Sequence, residues 1–374
     1  MRVVALVPGD DFSGPAGQVA STSAELAKHG IELRFILLCR PAAATGRLPS
    51  FLDRRGIPYK LLEDRRPFDP GLAIRVWRLL SEWQPGILET HGYKASAIAL
   101  ALTRLRPQWR WVAFFHGLTT ESRRARFYHW LDQRILRWAD AVVAISEEQR
   151  QQLLRWAPRA RVVHSAVTSL DSPSTAAHGS ELGARLERSS RPRIAVVGRL
   201  SPEKGVDVFL RSAAILASRG VAFSAVIVGD GPERTELEAL AASLGLRDRT
   251  QFLGHVSAIS SLYDNIDMLV IPSRSEGLPS VLLEALNADV TVIATRVGAI
   301  SEVLSQPDSG ILVPPESPTD LAEGIERGLA SLGSEVGRGA RAAAADMFSQ
   351  EKRASALLEV YRTVLRQPTG AKAT

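Results

Sequence analysis

Short apolar runs of strand composition alternate with helix-length segments along almost the whole chain, and the alternation stops once and restarts. Val3–Val7, Leu33–Leu38, Ile87–Glu89, Trp111–Phe115, Ala141–Ile145 and Arg161–Val163 make the first series. The stretch Ser169-Leu-Asp-Ser-Pro-Ser-Thr-Ala-Ala-His-Gly-Ser180 has neither helical nor strand period. Beyond it, Arg193–Val197, Ala225–Val228, Gln251–Leu253, Met268–Ile271, Thr291–Ala294 and Ile311–Val313 make the second series. Strands buried on both faces read as continuous apolar runs, and the helical spacers supply parallel crossovers. The expectation is an α/β protein of two doubly wound parallel-sheet, Rossmann-like domains facing across a cleft. The boundaries read as residues 1–170, a linker 171–192, residues 193–348, and a terminal segment 349–374 whose helical pattern, about Glu351 to Leu365, can cross back to the first domain.

With 374 residues, 45% of them hydrophobic, there is enough apolar material for two cores. The net charge of +6 hides a division. Up to Leu170 there are 25 Lys and Arg against 15 Asp and Glu; after it there are 21 against 25. A basic first half can attract nucleic acid, an anionic membrane or an acidic substrate. No helix-turn-helix, zinc-finger or RNA-stacking pattern accompanies it, so no nucleic-acid partner is expected. The N-terminal apolar run is too short for a signal-peptide core, and the longest other uncharged apolar run, Ala95 to Thr103, is far below the roughly 20 residues of a spanning helix. A cytoplasmic protein is expected, with a peripheral position on the inner face of the plasma membrane left open. The single cysteine, Cys39, permits no disulfide, and the histidines are too scattered for a metal cluster.

In parallel sheets ligands bind beyond the carboxyl ends of strands, and the candidate residues lie there. Gly14 and Gly17 follow the first strand, His91 and Lys94 the Ile87–Glu89 run, His116 the Trp111–Phe115 run, and Gly198-Arg-Leu-Ser-Pro-Glu-Lys-Gly205 the Arg193–Val197 run. After Met268–Ile271 comes Pro-Ser-Arg-Ser-Glu-Gly-Leu-Pro-Ser-Val-Leu-Leu-Glu, which puts Glu284 eight positions after Glu276. Pro279 suits the first turn of a helix reaching about Asn287. Glu276 then stands in the turn before the helix and Glu284 within it, while the amides of Ser280 and Val281 face out of a positive helix end that attracts phosphate. A turn carboxylate can accept from sugar hydroxyls and a helix carboxylate two turns on can reach a ribose. Two glutamates alone fit equally well a dipole-facing Glu and a solvated Glu. Arg199 and Lys204, on one short loop, can straddle a diphosphate and balance charge on a departing nucleoside diphosphate, although basic loops are common on any protein surface. A histidine at a strand end, such as His91, is often structural. Lys94 at a helix start opposes the helix dipole, which favours an anionic acceptor there.

Taken together, Gly198-Arg-Leu-Ser-Pro-Glu-Lys-Gly205, Val228-Gly-Asp-Gly-Pro232, Phe252-Leu-Gly-His-Val256, Ser275-Glu-Gly-Leu-Pro279 with Glu284, and Ala294-Thr-Arg-Val-Gly298 resemble the family 4 retaining glycosyltransferases of the GT-B fold. The resemblance runs through nearly all of the second half and more loosely through the first. It implies that Arg199 and Lys204 grip the donor diphosphate beside Gly198, Glu276 holds the sugar hydroxyls, and Glu284 the ribose. Gly277, Leu278, Pro279 and Ser280 would line the sugar and phosphate pocket, and Val256 would approach the base. His116 would orient the reacting sugar, and the Gly14–Gly17 turn would approach phosphate or acceptor. Two departures stand out: Ser165-Ala-Val-Thr168 where relatives usually have Asn-Gly-Val-Asp, and Asp289-Val-Thr291 where they usually have Gly-x-Pro.

The implied reaction is transfer from a UDP- or GDP-type sugar to an acceptor hydroxyl, with retention by same-face attack and the departing phosphate taking the acceptor proton. A lipid-linked glycan of bacterial surface-polysaccharide assembly is the expected acceptor. No cofactor or metal is expected, since Arg199, Lys204 and the helix start supply the counter-charge. The alternatives are a non-catalytic partner subunit of the same fold and a nucleotide-sugar epimerase. A nicotinamide dinucleotide binder is disfavoured because Gly-x-Gly-x-x-Gly follows neither domain's first strand. An anionic membrane is a further expected partner of the first domain: Arg123, Arg124, Arg126, Arg134 and Arg137 accompany an apolar stripe of Phe127, Leu131, Ile135 and Trp138, and Arg65, Arg66, Arg75 and Arg78 add a second basic group.

Overall fold

The structure, a computed structural model, describes residues 1–9, 15–39, 47–64, 69–115, 123–166, 182–184, 186, 190–256, 259–305, 308–333, 342 and 346–367, apart from the side chains of Pro15, Arg47 and residues 123–129. The chain forms two compact units, Met1–Thr168 with Ser349–Thr374, and Ser169–Phe348.

The first unit holds seven strands: β1 (Arg2–Pro8), β2 (Glu32–Cys39), β3 (Tyr59–Glu63), β4 (Ile87–His91), β5 (Arg110–Phe115), β6 (Ala141–Ala144) and β7 (Ala160–Val162). All pair in parallel, in the order β3-β2-β1-β4-β5-β6-β7. The chain winds outward from β1 through β2 and β3, then returns to β4 on the other side of β1, so the loops after β1 and β4 flank the reversal. Alternate residues of β1 feed two cores. Val3, Ala5 and Val7 meet the helices Pro15–Lys28, Arg47–Arg54 and Gln350–Arg366; Val4 and Leu6 meet Pro70–Trp83, Tyr93–Leu105 and Arg123–Leu136. Strand β3 carries no apolar run because it is an edge strand, largely open to solvent, and sequence patterning passes over it.

The stripe expected to face a membrane packs inward instead. Ile135 is buried, and Leu131 and Trp138 are half-buried against the same core as β4 and β5. The covalent spacing that makes one helical face apolar is the spacing a core-facing helix needs. Arg123, Arg124, Arg126 and Phe127 have side chains outside the described residues, as have Arg65 and Arg66. Arg75 pairs with Asp69 at 3.0 Å. Among the described residues no helix is long and apolar enough to cross a membrane.

The last helix, Gln350–Arg366, belongs to the first unit. Leu357, Leu358, Tyr361 and Val364 enter its core, each worth about 1.5–3 kcal/mol when fully buried. A polar cluster accompanies them. The Tyr361 hydroxyl donates to the buried Glu89 carboxylate, and Arg353 donates to the His164 carbonyl at 2.6 Å and to Thr22 Oγ1 at 3.1 Å. His91 stacks on Phe114 with ring centroids 4.5 Å apart and stands 3.9 Å from Glu89. Burial pushes the Glu89 carboxyl up to about 7, against the Tyr361 hydrogen bond and the Arg353 charge, and pushes His91 down to about 3, with the Arg353 charge adding to it.

The second unit holds β8 (Arg193–Val197), β9 (Ser224–Val228), β10 (Thr250–Gly254), β11 (Met268–Ile271), β12 (Thr291–Thr295) and β13 (Ile311–Val313), all parallel, in the order β10-β9-β8-β11-β12-β13. The reversal falls between β8 and β11. Part of the stretch read as a linker is structured here: Leu182–Ala184 is helical, and Leu182 and Leu186 are buried.

The Glu89 and His91 ionisations should leave opposite marks on stability. Glu89, raised above an ordinary 4.5, stabilises fully below pH 4.5 and loses that contribution as pH rises through about 7; His91, depressed from 6.5, stabilises fully above pH 6.5 and loses it as pH falls through about 3. Between pH 4.5 and 6.5 folding takes up a proton at one and releases a proton at the other, so the two slopes offset. Glu89→Gln should make stability rise with pH across this window relative to wild type, and His91→Asn should make it fall. Urea unfolding at a series of pH values checks both, and unchanged slopes would remove the assignment.

Candidate functional site

The reversal in strand order brings together two loops that are far apart in sequence. Leaving β8, the chain turns through Gly198 and the short 3-10 turn Pro202–Lys204 into the helix Val206–Ser218. Leaving β11, it turns through Ser273 to Pro279 into the helix Ser280–Asn287, with Pro279 as the N-cap residue. Because β8 and β11 are neighbours, the Lys204 ammonium reaches Glu276 Oε1 at 2.6 Å. The Ser273 hydroxyl donates to the same oxygen at 2.8 Å. Among the described residues nothing donates to Oε2 of Glu276, which is available to a hydroxyl. The Glu276 side chain is only 9% exposed and Lys204 27%, so the pair is partly withdrawn from water yet open on one side. The lysine stem lies beside Gly198, where a Cβ would stand 3.7 Å from Lys204 Cδ, an ordinary contact. Arg199 is exposed on the same loop.

Backbone contacts hold the Glu276 turn from the far side. Ala299 N donates to Gly277 O at 2.9 Å and Thr295 Oγ1 to Ser273 O at 2.6 Å. Gly298 has φ +53, and a Cβ there would fall 2.1 Å from Glu276 O, so only glycine permits this approach. The loop after β9 is pressed as closely on the Lys204 loop: at Gly229, φ +132, a Cβ would meet Gly198 O at 1.8 Å. Leu278 and Pro279 are buried while Ser280 is exposed at the helix start, where the first amides have no intrahelical acceptor. One helical turn further, Glu284 accepts from the buried Tyr263 hydroxyl at 2.9 Å. Burial raises the Glu284 carboxyl above the ordinary carboxylate range, with the Tyr263 and Ser280 hydroxyls opposing. Val256 is half-buried just after β10.

Gly198, Lys204, Glu276, Gly277, Leu278, Pro279, Ser280 and Glu284 are thus carried by adjoining elements of one sheet end. Of the residues expected in the first unit, Gly17, His91 and Lys94 are described. Gly17 lies buried in the first turn of the helix Pro15–Lys28 rather than in a loop, because that helix begins two residues earlier. His91 is 2% exposed and packed on Phe114, and Lys94 pairs with Asp64. Gly14 and His116 lie outside the described residues. Sequence reasoning missed Tyr263 and the pair Arg274–Asp207, which join segments with no recurrent spacing.

Two family models match the chain, Glycosyltransferase Family 4 over residues 12–168 and Glycosyl transferases group 1 over residues 182–335. The chain belongs to the family 4, group 1 glycosyltransferases. Among members of the family it is 34% identical over 205 residues to an alpha-D-kanosaminyltransferase of Streptomyces kanamyceticus, over 53% of each chain. It is 33% identical to the 2-deoxystreptamine glucosyltransferase of the same organism over 48% of each chain, so it spans about half the length of these curated relatives. With the lipopolysaccharide core biosynthesis mannosyltransferase LpcC of Rhizobium leguminosarum bv. viciae it shares 28% identity over 83% of this chain and 89% of that one. Among solved structures, HepE of Anabaena in complex with UDP matches with TM-score 0.79 at 19% identity, over 97% of this chain and 100% of that one. These likenesses and the two parallel sheets give the fold as GT-B. Within this glycosyltransferase pattern, the departure at Asp289 has a physical reading: the residue has φ +57, a left-handed conformation that glycine adopts without strain.

Gly298→Ala should destabilise the second unit by more than about 1 kcal/mol, since the added methyl meets backbone and cannot rotate away. Urea unfolding with a reporter in that unit measures it. Wild-type stability would mean that the Glu276 turn yields without cost.

Proposed function

We propose that this chain transfers a sugar from a nucleoside diphosphate sugar of UDP or GDP type to an acceptor hydroxyl, with retention of anomeric configuration. The observation that carries the reading is the Lys204–Glu276 contact at 2.6 Å, beside a helix start, at the strand-order reversal of a Rossmann-like sheet. A donor diphosphate competes with Glu276 for Lys204 and draws the ammonium onto its oxygens, with Arg199 on the same loop and the amides near Ser280 adding positive potential. Glu276, relieved of that ion pair, keeps the Ser273 hydrogen bond and accepts from sugar hydroxyls. Glu284, oriented by Tyr263, accepts from the ribose. The protein's contribution is orientation and electrostatic stabilisation of the departing diphosphate. No second carboxylate is assigned beside the anomeric carbon, which favours same-face attack with the leaving phosphate taking the acceptor proton. His116 is assigned to orienting the sugar.

A lipid-linked glycan acceptor in bacterial surface-polysaccharide assembly is supported by the long alignment with the mannosyltransferase LpcC and by the basic first half. A metal is unnecessary on this reading because Lys204, Arg199 and the helix start balance the diphosphate. A non-catalytic partner subunit or an epimerase of the same fold would bind donor without transferring its sugar. A thermal-shift panel of UDP- and GDP-sugars, followed by mass spectrometry of products, separates these from a transferase.

Glu276→Ala should lower transfer roughly 100-fold or more while nucleoside diphosphate binding survives; Lys204→Ala should weaken both. Wild-type turnover should persist in excess chelator. Near-normal turnover of Glu276→Ala, or reversible loss of activity in chelator with the fold intact, would overturn the assignment.

Reversible binding to an anionic membrane completes the proposal. With the Leu131–Ile135–Trp138 stripe packed against the core, the supporting residues are the exposed Trp130, under the Arg134 guanidinium at 5.3 Å, together with exposed Ile74 and Trp77 beside Arg78. At about 1 kcal/mol per basic residue near such a surface, a few arginines give salt-sensitive recruitment. Cosedimentation should be strong with anionic vesicles at low salt and lost at high salt; equal retention on neutral vesicles, or none at low salt, would reject it.

A further inference from the structure

One side chain ties the two loops of the site to each other. Arg274, two residues before Glu276, sends its guanidinium across to the Lys204 loop. Nη1 and Nη2 bind the two oxygens of Asp207 at 2.8 and 2.9 Å, Nη1 also donates to the Pro202 carbonyl at 2.7 Å, and Nε pairs with Glu316. Its backbone amide donates to Glu203 O at 2.8 Å. Pro202, Glu203 and Asp207 bracket Lys204 on both sides, so the guanidinium and the amide fix the Lys204 turn to the segment that carries Glu276. Glu316, with φ +60, holds a left-handed conformation disfavoured for a residue with a Cβ, and in it meets Arg274. The fork of a guanidinium fits a carboxylate and a carbonyl at once, which an ammonium does not.

We infer that Arg274 is a positioning residue: through Asp207, the Pro202 carbonyl and Glu316 it sets the separation and mutual orientation of Lys204 and Glu276. The inference rests on the proposed transferase reading for its effect on turnover, and on geometry alone for its effect on the loops. Neither Arg274 nor Asp207 need touch the substrate. Both side chains are about 30% exposed, so screening limits what the ion pair adds to global stability. Its consequence lies in alignment, where a displacement of about 1 Å between groups that act together can cost 10²-fold in rate.

The test uses the full chain and the variants Arg274→Gln, Arg274→Lys, Asp207→Asn and the Arg274→Gln/Asp207→Asn double variant. Crystal structures of wild type and Arg274→Gln from one crystal form read the Lys204–Glu276 separation, which should exceed the 4 Å ion-pair limit in the variant. With the best donor of the nucleotide-sugar panel, kcat should fall about 10- to 100-fold in Arg274→Gln and in Asp207→Asn, with a much smaller change in KM. The double variant should be no worse than the poorer single one, and Arg274→Lys should recover only part of the loss. A merely structural role would lower Tm and leave kcat of the folded enzyme unchanged. An unaltered Lys204–Glu276 contact, or wild-type kcat in Arg274→Gln, would overturn the inference. Absence of transfer in the wild type would defeat the functional reading instead, and the crystallographic comparison would still decide whether Arg274 sets the loops.

Discussion

Lys204 and Glu276 are 72 positions apart and in contact because the strand order of the second sheet reverses between β8 and β11. A parallel sheet sends every strand end to one edge, and at a reversal the two flanking loops diverge onto opposite faces and leave a crevice. Here that crevice is closed at its base by the ammonium–carboxylate pair and held by glycine contacts at Gly229 and Gly298 that admit no Cβ. The rest of the site depends on this arrangement. The helix start at Ser280, the Glu284 carboxylate and the exposed Arg199 have a common target only if the two loops stay in register.

The first unit uses charge differently. Three of its buried ionisable groups, Glu89, His91 and Arg353, are bonded or stacked in one cluster that joins the last helix to the sheet. Removing a partner from such a cluster leaves an uncompensated buried group, which is costly, whereas the cluster as a whole adds little beyond an apolar core of the same shape. Specific docking of the helix is what it supplies. On the proposed reading the Lys204–Glu276 pair of the second unit, partly open to solvent, exchanges one partner for a ligand. Burial thus distinguishes the sealed cluster of the first unit from the partly open pair of the second.

Legibility in the sequence followed the same physics. Nine of the twelve apolar runs that announced strands belong to inner parallel strands, buried on both faces, and three to the edge strands β7, β10 and β13; β3, an edge strand largely open to solvent, has no such run and went unread. The turn and helix around Glu276 were legible from Pro279 and from the position of the turn just after a strand. Arg274, Asp207 and Tyr263 were not, because their partners come from segments whose spacing is set by the fold. His91 and Lys94 were candidates because they follow a strand end; the packing of Phe114 on one and the placement of Asp64 by the other depend on tertiary contacts. The apolar stripe at Leu131, Ile135 and Trp138 was read for its period, but a period cannot say whether its face meets a core or a membrane.

By itself the sequence determined the α/β class, the parallel sheets, the restart that separates two units, and the positions of the loops after β8 and β11 on which the proposed donor site stands, since each follows from local period, turn residues and the chain's order. Only the tertiary structure decided that Lys204 and Glu276 pair, that Arg274 joins their loops, and that His91 is sealed inside. Those outcomes turn on which distant segments become neighbours, and neighbourhood is a property of strand order and packing that no local pattern encodes.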